Sequence, residues 1–262
     1  MKLEVLTQEP ASDAHLTPIL FVHGMWHAAW CWSEHFLPYF AQHGYKSYAL
    51  SLRGHGTSEG REQLRWISLA SYVADVSQVV DQLEIPPVLV GHSMGGMIIQ
   101  KYLESHQAPA AVLLASVPPK GLIPATFRVA RRHPLILLKI FMTFSLIHNV
   151  STSELYKEAL FSASIPGREL TAYHAQVQDE SFRAYVDMMA LELSRPGKVN
   201  IPMLVLGTTH DNLIASKEVE ATAKAYNTVA EFFPDMGHAM MLDIGWQAVA
   251  DRILNWLNEQ GL

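Results

Sequence analysis

The 262-residue chain holds a single cysteine, Cys31. No internal disulfide can form, so the fold does not depend on an oxidising compartment. Cys31 reads as a small buried hydrophobe. Charge is also sparse, at 17% of residues, with a net −6 and no run of one sign. An acidic chain without a basic patch is not expected to bind nucleic acid. The first fifteen residues, MKLEVLTQEPASDAH, lack an apolar core and are not expected to be a secretory leader. The longest apolar run, Pro134 to Ile147, is broken by Lys139 and too short to span a bilayer. No stable membrane insertion is therefore expected, and the expected location is cytoplasmic. Repeats and low-complexity segments are absent as well. What remains is 49% hydrophobic residues in one chain, ample for a large core.

Those residues fall into alternating segments. Short apolar strands are expected at Leu3–Leu6, Pro18–Val22, Tyr45–Leu50, Val88–Val90, Ala110–Ala115, Met203–Leu206 and Val229–Phe233. Helices are expected at Trp30–Phe40, after the N-cap Ser68 as far as Leu83, after Ser93, at Ser216–Tyr226 and at Trp246–Leu257. This alternation predicts an α/β fold, a mostly parallel sheet with helices on both faces. The rhythm breaks at Pro118-Pro119. Lys120 to Pro196 shows helical segments rich in Leu, Ile, Phe and Met and no convincing strand. The expectation is a core of residues 1–118 and 197–262 around a helical insertion at 119–196. Helices packed only on one another would satisfy the same composition. A cap over the carboxyl ends of the strands is preferred, because ligands bind there in such sheets.

The chemistry centres on Gly91-His92-Ser93-Met94-Gly95, between an apolar strand and a helix. A sharp strand-to-helix turn needs small flanking residues, and it projects the serine hydroxyl at the sheet's edge. An ordinary N-cap serine in a Gly-rich turn is the bland alternative. A serine is a weak nucleophile without a base, and the base needs an acid to hold its tautomer. With thirteen histidines, the base is chosen by place rather than type. His238 follows the last strand. Asp211 follows the strand before it, in Gly207-Thr208-Thr209-His210-Asp211. After the earlier strand stands Ala115-Ser116-Val117, with no carboxylate, which favours Asp211 over an acid placed there. Asp235, three residues before His238, reads as a turn residue. For an oxyanion, two main-chain N–H groups are expected, from Met94 and from Met25 in the His23-Gly24-Met25 turn. His23 should brace that turn, and Gly24, Trp26 and His92 are expected to contact substrate. His23 and His27 lack a third ligand, so no metal is expected. No Lys follows the Gly-rich turn, so it is not a phosphate loop, and no cofactor is implied.

HGMW at 23–26, RGHGTS at 53–58, GHSMGG at 91–96, Gly207 to Asp211 and GHAMML at 237–242 together resemble the α/β-hydrolase superfamily. The resemblance implies an α/β-hydrolase fold and a Ser93–Asp211–His238 triad. The segment from His23 to Trp32 is similar to the plant hydroxynitrile lyase and methylesterase branch. The lyases carry Thr where this chain has Gly24 and Lys where it has Ala239, which speaks against cyanohydrin cleavage. Ser93 excludes the Asp-nucleophile chemistry of dehalogenases and epoxide hydrolases. The implied activity is hydrolysis of small carboxylic esters with an apolar acyl or alcohol group. Lipase, monoacylglycerol lipase, thioesterase or carbon–carbon bond hydrolase chemistry on the same triad, and a non-catalytic ligand receptor, are the alternatives.

Overall fold

The computed structural model describes residues 1–11 and 14–262. Seven strands form one sheet: β1 (Glu4–Gln8), β2 (Ile19–Val22), β3 (Ser47–Ser51), β4 (Val88–His92), β5 (Ala111–Leu114), β6 (Met203–Thr208) and β7 (Ala230–Phe233). Their order is β1-β3-β2-β4-β5-β6-β7, and only β1 runs antiparallel to its neighbour. Every side chain of β2 and of β5 is buried. A strand buried on both faces has lost the polar/apolar alternation, which is why these segments read as unbroken apolar runs. The chain winds outward from β2 to β3, then returns across β2 to β4. The winding therefore reverses between β2 and β4, and a crevice opens there beyond their carboxyl ends. The turn at residues 23–26 and Ser93 both lie at those ends.

The expected helix over Trp30–Phe40 is two helices, α1 (Trp30–Ser33) and α2 (Phe36–Gln42). Pro38 accounts for the break. Inside one long helix its missing N–H would cost a hydrogen bond, whereas in the first turn of α2 no such bond is due. His35 leaves helical geometry at the junction, with φ −135°. Its ring stacks on Trp246 at 4.4 Å, which ties the junction to the last helix. The helix α3 (Leu69–Val80) starts as the sequence predicts, with Ser68 Oγ accepting from Ser71 N–H at 3.1 Å. The helix α4 (Met94–Tyr102) follows β4 directly.

Among the described residues, the segment between β5 and β6 contains helices and no strand: α5 (Ile123–Arg132), α6 (Pro134–Thr143), α7 (Ser153–Leu160), α8 (Gly167–His174) and α9 (Phe182–Val186), with short 3₁₀ and π turns. After β6 come α10 (Ser216–Ala225) and, following β7, α11 (Trp246–Glu259). Buried polar groups tie the segment to the loop after β3 and to α3. Glu180 and His55 are both fully buried, 3.1 Å apart through Oε2 and Nε2. The Tyr72 hydroxyl also donates to Glu180, at 2.8 Å. Asp187 accepts from Leu69 N–H at 3.0 Å, at the start of α3. Ser181 Oγ donates to Ile67 O at 2.6 Å. A buried charge is tolerated only while its partners remain, so removing one partner is expensive. Replacing Glu180 with Ala strands His55 and Tyr72 together. It should lower unfolding free energy by about 3–5 kcal/mol, read from urea denaturation. A loss below about 1 kcal/mol, the scale of a surface pair, would contradict this account.

Candidate active site

Ser93 occupies the turn between β4 and α4 with φ 53° and ψ −115°. That left-handed backbone is costly for a residue with a side chain. It is held from both sides: Ser93 N–H donates to Leu114 O at 3.0 Å, and Val117 N–H donates to Ser93 O at 3.0 Å. The neighbouring glycines are required by contact. A Cβ on Gly95 would lie 2.2 Å from Val22 O, and one on Gly24 would lie 2.9 Å from Ser93 Cβ. The turn after β2 and the turn after β4 therefore meet main chain to main chain.

Ser93, His238 and Asp211 come together as one hydrogen-bonded chain. His238 Nε2 lies 2.8 Å from Ser93 Oγ, and His238 Nδ1 lies 2.6 Å from Asp211 Oδ2. The Asp211 side chain is almost wholly buried. Its other oxygen accepts from Leu213 N–H at 2.7 Å and Ile214 N–H at 2.9 Å. A carboxylate so supplied with donors keeps its orientation, and it keeps the Nδ1–H tautomer of His238 with Nε2 open to the serine. Asp235 is exposed with φ 55°, a turn residue, and His210 is exposed on the loop after β6.

The His238 loop is clamped by groups of which sequence reading identified only one, and for another purpose. Asp243 is fully buried; it accepts from Gly237 N–H and from Ser162 N–H, both at 2.7 Å. Ala239 N–H donates to Leu160 O at 2.8 Å. His92 Nε2–H donates to His238 O at 2.9 Å. Asp243 belongs to no short motif, and its partners are distant in sequence, so no local signal marked it.

Beside Ser93 lies a cavity with mainly apolar walls. Its walls include Met25, Trp26, Val117, Leu122, Leu137, Leu146 and Ile214, and its polar lining beyond Ser93 is Thr126, Asn149 and Tyr185. Gly24 and His92, expected at the substrate, are not among the lining residues. Gly24 packs against His92 and Ser93, and the His92 ring is turned to the His238 carbonyl behind the site. Trp26 does line the cavity, with φ 67°, and its indole N–H donates to Leu146 O at 3.1 Å. His23 braces the turn: Nδ1–H donates to Gly24 O at 2.8 Å and Nε2 accepts from Leu52 N–H at 3.1 Å. The N–H groups of Met25 and Met94 donate to no protein acceptor among the described residues.

Against this geometry, the model of the alpha/beta hydrolase family matches residues 19–252. The chain belongs to the alpha/beta hydrolase family. Similar proteins include a non-heme chloroperoxidase of Streptomyces lividans, 34% identical over 39% of this chain and 37% of its own length. A monoacylglycerol lipase of Mycolicibacterium smegmatis is 23% identical over 86% of this chain and 82% of its own. The first three curated relatives are matched over less than two fifths of their length. The solved structure of an esterase from Exiguobacterium antarcticum superposes with a TM-score of 0.76 at 17% identity, over 98% of this chain and 95% of that one. At that identity the likeness is one of fold.

Three buried histidines surround this alpha/beta hydrolase site in the neutral form. Burial pushes His23 and His92 well below the usual histidine range, aided by neighbouring histidine charge. Burial, then repulsion from His238, lowers His27 to about 3. In the unfolded chain these rings take up protons near pH 6.5, while the folded chain leaves them neutral, so protons favour unfolding. Stability should therefore fall as pH drops from 7 towards 4, by about 1.4 kcal/mol per pH unit for each such histidine. Thermal denaturation across that range measures the slope, and His27→Gln should make it shallower. A melting temperature that stays level from pH 7 to 5 would contradict the neutral assignment.

Proposed function

We propose that this chain is a serine hydrolase of carboxylic esters, with an apolar acyl or alcohol group held in the cavity beside Ser93. The observation that carries the reading is the unbroken hydrogen-bonded chain Asp211–His238–Ser93, ending on a hydroxyl that borders an apolar cavity. Ser93 Oγ attacks the ester carbonyl carbon while its proton passes to His238 Nε2. Asp211 keeps Nδ1–H in place and stabilises the imidazolium. The carbonyl oxygen becomes an oxyanion that accepts hydrogen bonds from the Met25 and Met94 N–H groups, which have no competing protein acceptor among the described residues. Collapse of the tetrahedral intermediate expels the alcohol, protonated by His238. Water then attacks the acyl-enzyme, His238 takes its proton, and the acid leaves with Ser93 restored. Every proton is handled by His238, so the cycle needs no cofactor.

The helical segment 119–196 acts as a cap in this reading. Leu122, Leu137, Leu146 and Tyr185 come from it and border the cavity that also holds Ser93. The cavity's mainly apolar walls suit an uncharged chain.

Aryl esters from acetyl to palmitoyl test the reading. Wild type should turn over a subset of chain lengths, and Ser93→Ala should lose about three orders of magnitude or more in kcat. Equal slow rates for both proteins on every ester would remove Ser93 as an ester nucleophile. They would bring forward the carbon–carbon hydrolase and ligand-receptor alternatives.

A further inference from the structure

The outer surface of α5 and α6 is unusual in two independent ways. First, it is apolar where it meets solvent. Leu135, Leu138 and Met142 share one face of α6 at i, i+3 and i+7, and they are 79%, 57% and 72% exposed. On α5, Phe127 is 66% exposed. Half of the exposed large apolar side chains among the described residues lie between Ile123 and Phe144. Single exposed leucines are ordinary, but a cluster of this kind marks a contact surface. Second, the region is cationic in an acidic protein. No Asp or Glu occurs between Glu104 and Glu154, while Lys120, Arg128, Arg131, Arg132 and Lys139 all fall there. The rest of the chain therefore carries a net charge of −11 against −6 for the whole. Lys139 sits on the same face as Leu135 and Met142, and Arg131 lies one turn beyond Phe127; both cations are exposed.

We propose that α5 and α6 dock on an anionic lipid surface, with the apolar stripe entering the headgroup boundary and the cations pairing with phosphates. Interfacial helices bind by this combination of apolar area and basic charge. A second copy of this chain is the less fitting occupant. Arg128 and Arg132 are paired with Glu218 and Glu158, so a two-fold contact would set the remaining cations, Lys120, Arg131 and Lys139, against their own copies, with no acid in this stretch to neutralise them. Inward, the same helix turns Leu137 to the cavity beside Ser93, so docking would place the cavity wall one helix away from the lipid. Nothing in the docking depends on the chemistry at Ser93.

The test is co-sedimentation of the full chain with vesicles of phosphatidylcholine alone or mixed with phosphatidylglycerol. Wild type should bind the mixed vesicles, bind the neutral ones far less, and release as salt rises. Arg131→Glu with Lys139→Glu should weaken binding about tenfold or more, as should Leu135→Asp with Met142→Asp. All four side chains are exposed and lie outside the cavity lining, so hydrolysis of a short soluble aryl ester serves as the folding control. No sedimentation with either vesicle overturns the proposal. So does binding that ignores the charge reversals. A solution dimer that Leu135→Asp dissociates, with no vesicle binding, overturns it in favour of a second copy. If wild type turns over no ester, the Ser93 reading fails and the sedimentation result still decides docking.

Discussion

The structure depends on one local strain, the left-handed backbone of Ser93 between β4 and α4. Such a conformation persists only when its surroundings over-determine it. Here β5 and the chain after it supply hydrogen bonds on both sides of the residue. The glycines at 91 and 95 supply the absence of atoms: a Cβ on either would lie 2.6 Å or less from backbone. The sheet order follows the same logic. The winding reverses between β2 and β4, which brings the His23–Trp26 turn against the serine. That contact is closest at Gly95 and is tight again at Gly24, and their lack of side chains lets two turns share one crevice.

A second constraint is how the histidine loop is held. His238 sits on a loop after an edge strand of partly exposed residues, a place with little intrinsic rigidity. Its position is set from three directions, by Asp243 through Gly237, by Leu160 through Ala239 and by His92 through the His238 carbonyl. Leu160 and Ser162 belong to the helical segment between β5 and β6. That segment thus borders the cavity and also holds the loop that faces Ser93. The buried Glu180–His55 pair and the Asp187 contact to α3 anchor it at its far end.

Much of this was readable in the chain. Short apolar runs marked all seven strands, and the fully buried ones stood out because a strand covered on both faces must be apolar throughout. Ser68 was legible as an N-cap because its side chain bonds three residues ahead. The misread helix at Trp30–Phe40 was legible too, since Pro38 allows only the start of a new helix there. The positions of Ser93, Asp211 and His238 were open to inference because each follows a strand of one parallel sheet, and such a sheet delivers all of its carboxyl ends to one edge.

Other features had no local sign. Asp243 is one acid among twenty-five, and only folding brings it to Gly237 and Ser162. His92 sits in the serine motif and invites a substrate role, yet its ring is spent on a carbonyl far along the chain. The sequence by itself determined the strand order's raw material, the strained turn and the residue types that meet there, because these rest on local sterics and apolar period. Only the tertiary structure decided which side chains line the cavity, which histidines stay neutral and which apolar residues of α6 face solvent. Those outcomes depend on burial and on partners many residues away, and neither is a property of a short stretch of chain.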